Sequence, residues 1–338
     1  MQARFGKSEI LRRGSLKRLL LFLCALAQSA ALFADDSNVA PETNTPTLPV
    51  PAILNAQKLY AQLEGYPLEE DPFNRLMIGV HVNGVGPFPF ILDTGASRSI
   101  IYRSLTAALK LEAIPNKSRN IITVNGYKRA LVYPIGDIFA LGATLEIEDT
   151  VALPDILGSS ARGLIGVDLL AGRTLVLRPS SSLALLMDNS DKLVGPNWTS
   201  VQGRPVAYGS LALSIDIGGV TIPVVVDTGA SDTVINKAGA ETLLRSGRGV
   251  GRAKTMAVIA RGHAVAREKL ILPTLMLGGA SFEHAEVFVA DLNVFRLLGA
   301  GEVPAIILGM NVLGQQDFAI DFENWRLYLR TEPDADIE

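Results

Sequence analysis

Phe88-Pro89-Phe90-Ile91-Leu92-Asp93-Thr94-Gly95-Ala96-Ser97 and Ile222-Pro223-Val224-Val225-Val226-Asp227-Thr228-Gly229-Ala230-Ser231 are two versions of one phrase, written 134 residues apart in a single chain. In both, an uninterrupted apolar run ends on the same acidic turn. Such a run, bounded by turn residues, reads as a strand covered on both faces, which delivers the Asp at the end of a buried element. Average residue usage makes one Asp-Thr-Gly-Ala-Ser rarer than about one in a thousand for a chain of this length, so two in equivalent settings point to duplication. The competing reading is a duplicated structural turn, in which Asp bonds its own backbone and Gly supplies the bend.

Working outward, the match continues. Leu76-Met77-Ile78-Gly79-Val80-His81-Val82-Asn83-Gly84 precedes the first turn as Leu211-Ala212-Leu213-Ser214-Ile215-Asp216-Ile217-Gly218-Gly219 precedes the second. Leu141-Gly142 stands fourteen residues before Asp155, and Leu277-Gly278 stands fourteen before Asp291. Gly163-Leu164-Ile165-Gly166-Val167-Asp168-Leu169-Leu170 answers Ile306-Ile307-Leu308-Gly309-Met310-Asn311-Val312-Leu313, and each copy closes on paired apolar strands, Thr174 to Met187 and Asp317 to Arg330. A unit of more than about 100 residues present only twice is not a solenoid; it implies two lobes related by an approximate twofold axis. Short apolar runs between Gly, Pro, Asn and Asp, with few aromatics, favour strands over long helices, so the expected class is mainly β. The divisions expected are a first lobe at 73–187, a connector at 188–207 rich in Asn, Asp, Gly, Pro and Ser, and a second lobe at 208–332.

The N-terminus has a separate role. Six of the 31 basic residues fall within the first 34 positions, ahead of or beside the apolar run Leu19 to Phe33, which ends on Ala34. Basic stretch, short apolar stretch and small residue describe a secretory signal peptide over 1–34, and the run is shorter than the roughly 20 residues of a membrane span. The expectation is an exported, periplasmic or secreted protein without a stable membrane span after cleavage. Residues 35–72 read as a tether or pro-segment, with a short helix possible at 52–64. Cys24, the only cysteine, lies inside the signal, which excludes a disulfide scaffold and a cysteine-ligated metal site in the mature chain. The whole chain already carries a formal charge of −3, and loss of the basic leader makes it more acidic, so nucleic acid is not an expected partner.

A lone ionised carboxylate at the end of a buried strand is costly. Two that face each other across a twofold axis can share a proton, which offsets their repulsion. On Asp93-Thr94-Gly95, Asp227-Thr228-Gly229, Leu164-Ile165-Gly166 and Ile307-Leu308-Gly309, the chain resembles the pepsin and retropepsin group of aspartic peptidases over roughly Leu76 to Arg330.

The resemblance implies a bilobal acid-protease-like fold of two β-barrel lobes, fused from retropepsin-like units and monomeric, acting on peptide or protein substrates without a cofactor. Asp93 and Asp227 would hold the attacking water, one as general base and the other as general acid. Thr94 and Thr228 would hydrogen-bond across the axis. Gly95 and Gly229 would let backbone N–H groups approach the carboxylates. Ala96 and Ala230 stand where the pepsin-like branch often has Ser, whose hydroxyl would stabilise the ionised dyad, so a less acidic activity optimum is expected. Candidate cleft-covering flaps are Asn125-Gly126-Tyr127, with a strong hairpin signal, and Arg261-Gly262-His263.

Other signals carry less. His81, His263 and His284 are isolated, and no metal is implied. Asp168 has Asn311 as its counterpart, which suits a structural hydrogen bond. Trp198 and Trp325 read as packing residues. Two alternatives to an endopeptidase stay open: a catalytically silent peptide-binding protein of the same fold, and a glycosidase using the same two carboxylates.

Overall fold

The computed structural model describes residues 65–124, 126–193, 197–247, 249–259 and 264–331. The proposed signal peptide and residues 35–64, with the expected helix at 52–64, lie outside these residues, as do Asn125 and Arg261, Gly262 and His263 of the candidate flaps.

The fold is mainly β, built as two sheets of like topology joined by a third. Read from its outer hairpin inward, the first lobe orders its strands Ser118–Thr123, Gly126–Pro134, Asp149–Leu153, Ile100–Tyr102, Gly163–Ile165, Val85–Leu92 and Leu76–Val82. The second orders Gly251–Ile259, Ala264–Leu277, Ala280–Val289, Val234–Ile235, Ile306–Leu308, Val220–Val226 and Leu211–Ile217. The sequence of neighbours is the same, so duplication extends from the turns to the whole sheet.

The third sheet has six strands and knits the lobes together. At its middle Thr174–Arg178 of the first lobe pairs antiparallel with Phe318–Asp321 of the second, from Thr174 opposite Asp321 to Leu177 opposite Phe318. These strands are apolar on both faces, and Leu175, Leu177, Phe318, Ile320, Leu327 and Leu329 are fully buried. The largest core cluster therefore runs without a break from one lobe into the other. Burial of these six side chains, worth on the order of 1.5–3 kcal/mol each, holds the lobes together without a disulfide.

Two segments placed outside the lobes by composition are ordered parts of the sheets. Tyr66–Pro67 pairs with Leu183 and Ala184 at one edge of the joining sheet, and Glu69–Glu70 pairs with Leu76 and Met77. Asp71 then anchors this arm: its carboxylate accepts from the backbone N–H of Phe73 at 2.9 Å, from Arg75 N–H at 3.1 Å, from Ser159 Oγ at 3.1 Å, and from the buried Arg75 guanidinium. In the connector, Trp198–Gln202 forms the other edge of the joining sheet against Arg326–Arg330. The connector's polar composition hid the alternation Trp198, Ser200, Gln202 against Thr199, Val201, which a strand can use.

The lobes differ in the length of one connection. Asp155 is eight positions from Gly163 in the first copy, whereas Asp291 is fifteen positions from the equivalent Ile306. The extra length carries the helix Asn293–Leu297, which lies against the strand Gly126–Pro134 of the opposite lobe. Phe295 anchors that helix in a small core with Val234, Ala266 and Ile307.

Candidate active site

Each acidic turn is placed by a strand exchange. Gly163–Ile165 runs parallel to Val85–Leu92 and antiparallel to Ile100–Tyr102, with Ile165 opposite Leu92. Ile306–Leu308 does the same between Val220–Val226 and Val234–Ile235, with Leu308 opposite Val226. The ladder continues one residue further: Asp93 N–H donates to the Ile165 carbonyl at 2.9 Å and Asp227 N–H to that of Leu308 at 3.1 Å. Phe90 and Leu92, like Val224 and Val226, are fully buried, so each Asp emerges from the core at the point where its strand ends.

The two turns meet at the lobe boundary. Thr94 N–H donates to Thr228 Oγ1 at 3.1 Å, and Thr228 N–H donates to Thr94 Oγ1 at 3.1 Å. The hydroxyls pass their own protons across the same boundary, Thr94 Oγ1 to the Val226 carbonyl at 3.1 Å and Thr228 Oγ1 to the Leu92 carbonyl at 2.7 Å. Both threonines are buried. The N–H and the hydroxyl of each threonine thus find partners in the opposite lobe, which ties each strand end to the other turn.

Gly95 and Gly229 act in two ways. Gly95 N–H donates to Asp93 Oδ1 at 3.1 Å and Gly229 N–H to Asp227 Oδ1 at 2.9 Å, the close backbone approach that the sequence suggests. The second role crosses the boundary. A side-chain carbon at Gly95 would lie 2.6 Å from Cγ of Asp227, and one at Gly229 would lie 2.3 Å from Cγ of Asp93. Each carboxylate therefore occupies the room that the opposite glycine leaves, and both acids crowd the same pair of peptide units. Ala96 and Ala230 turn their methyls toward the Ile91 and Val234 clusters.

Behind the turns lies a second duplicated layer that sequence reading only half found. Ser99 Oγ accepts from Gly166 N–H at 3.1 Å, and Thr233 Oγ1 accepts from Gly309 N–H at 3.0 Å. Ser99 N–H is held by the Asp168 carboxylate at 2.9 Å, and Thr233 N–H by Asn311 Oδ1 at 2.7 Å. Asp168 is thus a structural acceptor, as its Asn counterpart indicated; burial outweighs its bonds from Ser99 and Leu169 and the field of Arg98, and raises its pKa. Gly166 and Gly309 are required by contact, since a side-chain carbon there would meet the backbone of Arg98 and of Asp232 at 2.5 Å. The paired Asp155 and Asp291 accept from Ser104 N–H at 3.2 Å and Lys237 N–H at 3.0 Å, each at the start of the helix after its turn. The signal for this layer was a hydroxyl six residues after each acid.

Of the candidate flap residues, Gly126 and Tyr127 are described, on a strand paired with Ser118–Thr123. Thr123 pairs with Gly126, Thr123 Oγ1 donates to the Gly126 carbonyl at 3.0 Å, and Tyr127 is exposed. In the second lobe Gly251–Ile259 pairs with Ala264–Leu277, and the tip between them falls outside the described residues. His81 is half-buried beside Phe139, with burial lowering its pKa, and Trp325 packs edge-on to Phe322. Among the described residues no group of three or more His, Cys, Asp or Glu is placed to hold a metal ion, and no helix is long and apolar enough to cross a membrane.

Two duplicated β lobes that bring matched Asp-Thr-Gly turns together at their junction define an aspartic-protease type of fold with two retropepsin-like units. An aspartyl protease family model matches residues 78–169 and 213–312, once in each lobe and over more than half of the chain, and the chain belongs to that family. The comparison with curated proteins finds no match.

Proposed function

We propose that the protein is an exported aspartic endopeptidase that hydrolyses peptide bonds with a water held between Asp93 and Asp227. The observation that carries this reading is reciprocal crowding, in which each carboxylate fills the space left by the opposite glycine. Two carboxylates so close cannot both remain ionised at low cost, so the pair retains one proton and titrates as a unit.

The chemistry follows from that shared proton. The ionised carboxylate takes a proton from water as its oxygen attacks the peptide carbonyl carbon. The protonated carboxyl gives its hydrogen to the carbonyl oxygen, which leaves a neutral tetrahedral diol. Return of a proton to the nitrogen, with loss of a hydroxyl proton to the dyad, breaks the C–N bond and restores the starting state. The threonine pair keeps the acids from rotating apart while charge moves between them, so little reorganisation accompanies the reaction.

An extended substrate would lie across the boundary under the hairpins at 118–134 and 251–277. The lobe division at 73–187 and 208–332, the monomeric state and export by residues 1–34 belong to the same proposal. Mature protein incubated with a diverse peptide mixture, with and without a statine-type inhibitor, tests it. Inhibitor-sensitive cleavage that disappears in Asp93→Asn is expected; absence of cleavage from neutral to acidic pH, with intact folded protein, would reject it.

A further inference from the structure

Compared position by position, residues 93–99 and 227–233 agree in kind, with one exception in charge. The turn is Asp-Thr-Gly-Ala-Ser in both, and the next hydroxyl, Ser99 or Thr233, makes matching bonds. Between them stand Arg98 in the first copy and Asp232 in the second, each five residues after its acid. Their places in space are equivalent, because the backbone of Arg98 packs on Gly166 as that of Asp232 packs on Gly309.

Ser99 and Thr233 are buried and bond Gly166 and Gly309, whereas the residues just before them are not buried. Arg98 is exposed and Asp232 is half-buried. Neither takes part in an ion pair or side-chain hydrogen bond among the described residues. Burial raises the pKa of Asp232, and an incoming cation would offset that burial by favouring the ionised form. Arg98 lies close enough to Asp168 for its field to act there, but that carboxylate is already engaged by Ser99 and Leu169, which leaves the guanidinium's donors for a ligand.

An extended peptide laid across a twofold axis meets position 98 on one side of the acids and position 232 on the other, at like distances. We propose that Arg98 and Asp232 make the cleft electrically polar and select peptides with an acidic residue on one side of the scissile bond and a basic residue on the other. This rests on the endopeptidase reading and adds a substrate class to it: charge-asymmetric peptides, bound in one direction.

Two peptides of one composition test it, one with Lys before and Glu after the cleaved bond, the other with the two exchanged, beside a peptide with Ala at both places. The wild-type protein is expected to cut one charged peptide about tenfold faster than the other in kcat/KM, the equivalent of about 1.4 kcal/mol. The gap should narrow at high salt. The double variant Arg98→Asp with Asp232→Arg, which keeps net charge, should exchange the ranking, and the single Asp232→Asn should reduce it. Equal rates for the two charged peptides in wild type, with the Ala peptide cleaved, overturn this proposal and leave the endopeptidase reading intact. A ranking that survives the double exchange also overturns it. Failure to cut all three, and the diverse mixture as well, removes both.

Discussion

A side-chain carbon placed on Gly229 would sit 2.3 Å from Cγ of Asp93, in the opposite lobe. No carbon can approach a carboxylate so closely, so an alanine there must push either the acid or the turn away. Gly229→Ala, or Gly95→Ala, is expected to lower kcat by about a hundredfold or more, the scale of an ångström's misplacement at a reacting centre. Circular dichroism should show the sheets unchanged, since neither glycine lies in a strand. Full activity in either variant would contradict the crowding of the two acids.

The cross-boundary threonines should contribute to both stability and rate. Thr94→Val removes an acceptor from Thr228 N–H and a donor to the Val226 carbonyl in a site closed to water. Leaving those buried groups without partners costs about 1–3 kcal/mol. The loss is measured as a lower midpoint in urea unfolding, and Thr94→Ser, which keeps the hydroxyl, should recover most of it.

Ala96 and Ala230 bear on the pH of action. A hydroxyl that donates to the ionised dyad favours the charged form and so lowers its pKa. Ala96→Ser combined with Ala230→Ser should therefore move the maximum of kcat/KM to lower pH than in the wild type. A profile that stays in place or moves upward would show that hydroxyls at these positions do not reach the acids.

The N-terminal arm depends on one buried ion pair. Asp71→Asn leaves the Arg75 guanidinium buried without its carboxylate and is expected to destabilise the fold by about 3–5 kcal/mol at neutral pH. Burial raises the Asp71 pKa, but the bonds and charge of Arg75 and the Phe73 N–H outweigh it, so the value in the folded protein is lowered. A depressed folded value means the contribution is complete above the ordinary carboxylate pKa of about 3.9 and is lost as pH falls through the folded value. Urea titrations of both proteins should show a gap that is widest near neutrality and closes in strong acid.

Much of this protein is legible in one dimension because it is written twice. Asp93 and Asp227 could be paired, and their lobes outlined, from repeated phrases alone, since a duplicated unit repeats its apolar strands and turns in the same order. The counterpart of Asp168 being Asn311 already pointed to a structural hydrogen bond, and the structure supplied its direction. Composition was a poorer guide at the lobe edges: Tyr66–Pro67 and Trp198–Gln202 sit among polar and turn-forming residues, yet are strands because the joining sheet offers open edges beside Leu183–Met187 and Arg326–Arg330. The reach of Asn293–Leu297 across to the strand Gly126–Pro134 of the opposite lobe was not readable, because nothing in a short helix states what lies beyond its own lobe.

What the chain of residues specifies without three dimensions is local and repeated: apolar runs that must become buried strands, Asp-Thr-Gly turns at their ends, and glycines after them. What required the folded molecule is everything that crosses the boundary. Thr94 finds Thr228, and Gly229 makes room for Asp93, only because Thr174–Arg178 and Phe318–Asp321 pair and bury their side chains together. Contacts between residues more than a hundred positions apart depend on the burial of the whole sheet, which no window of sequence contains.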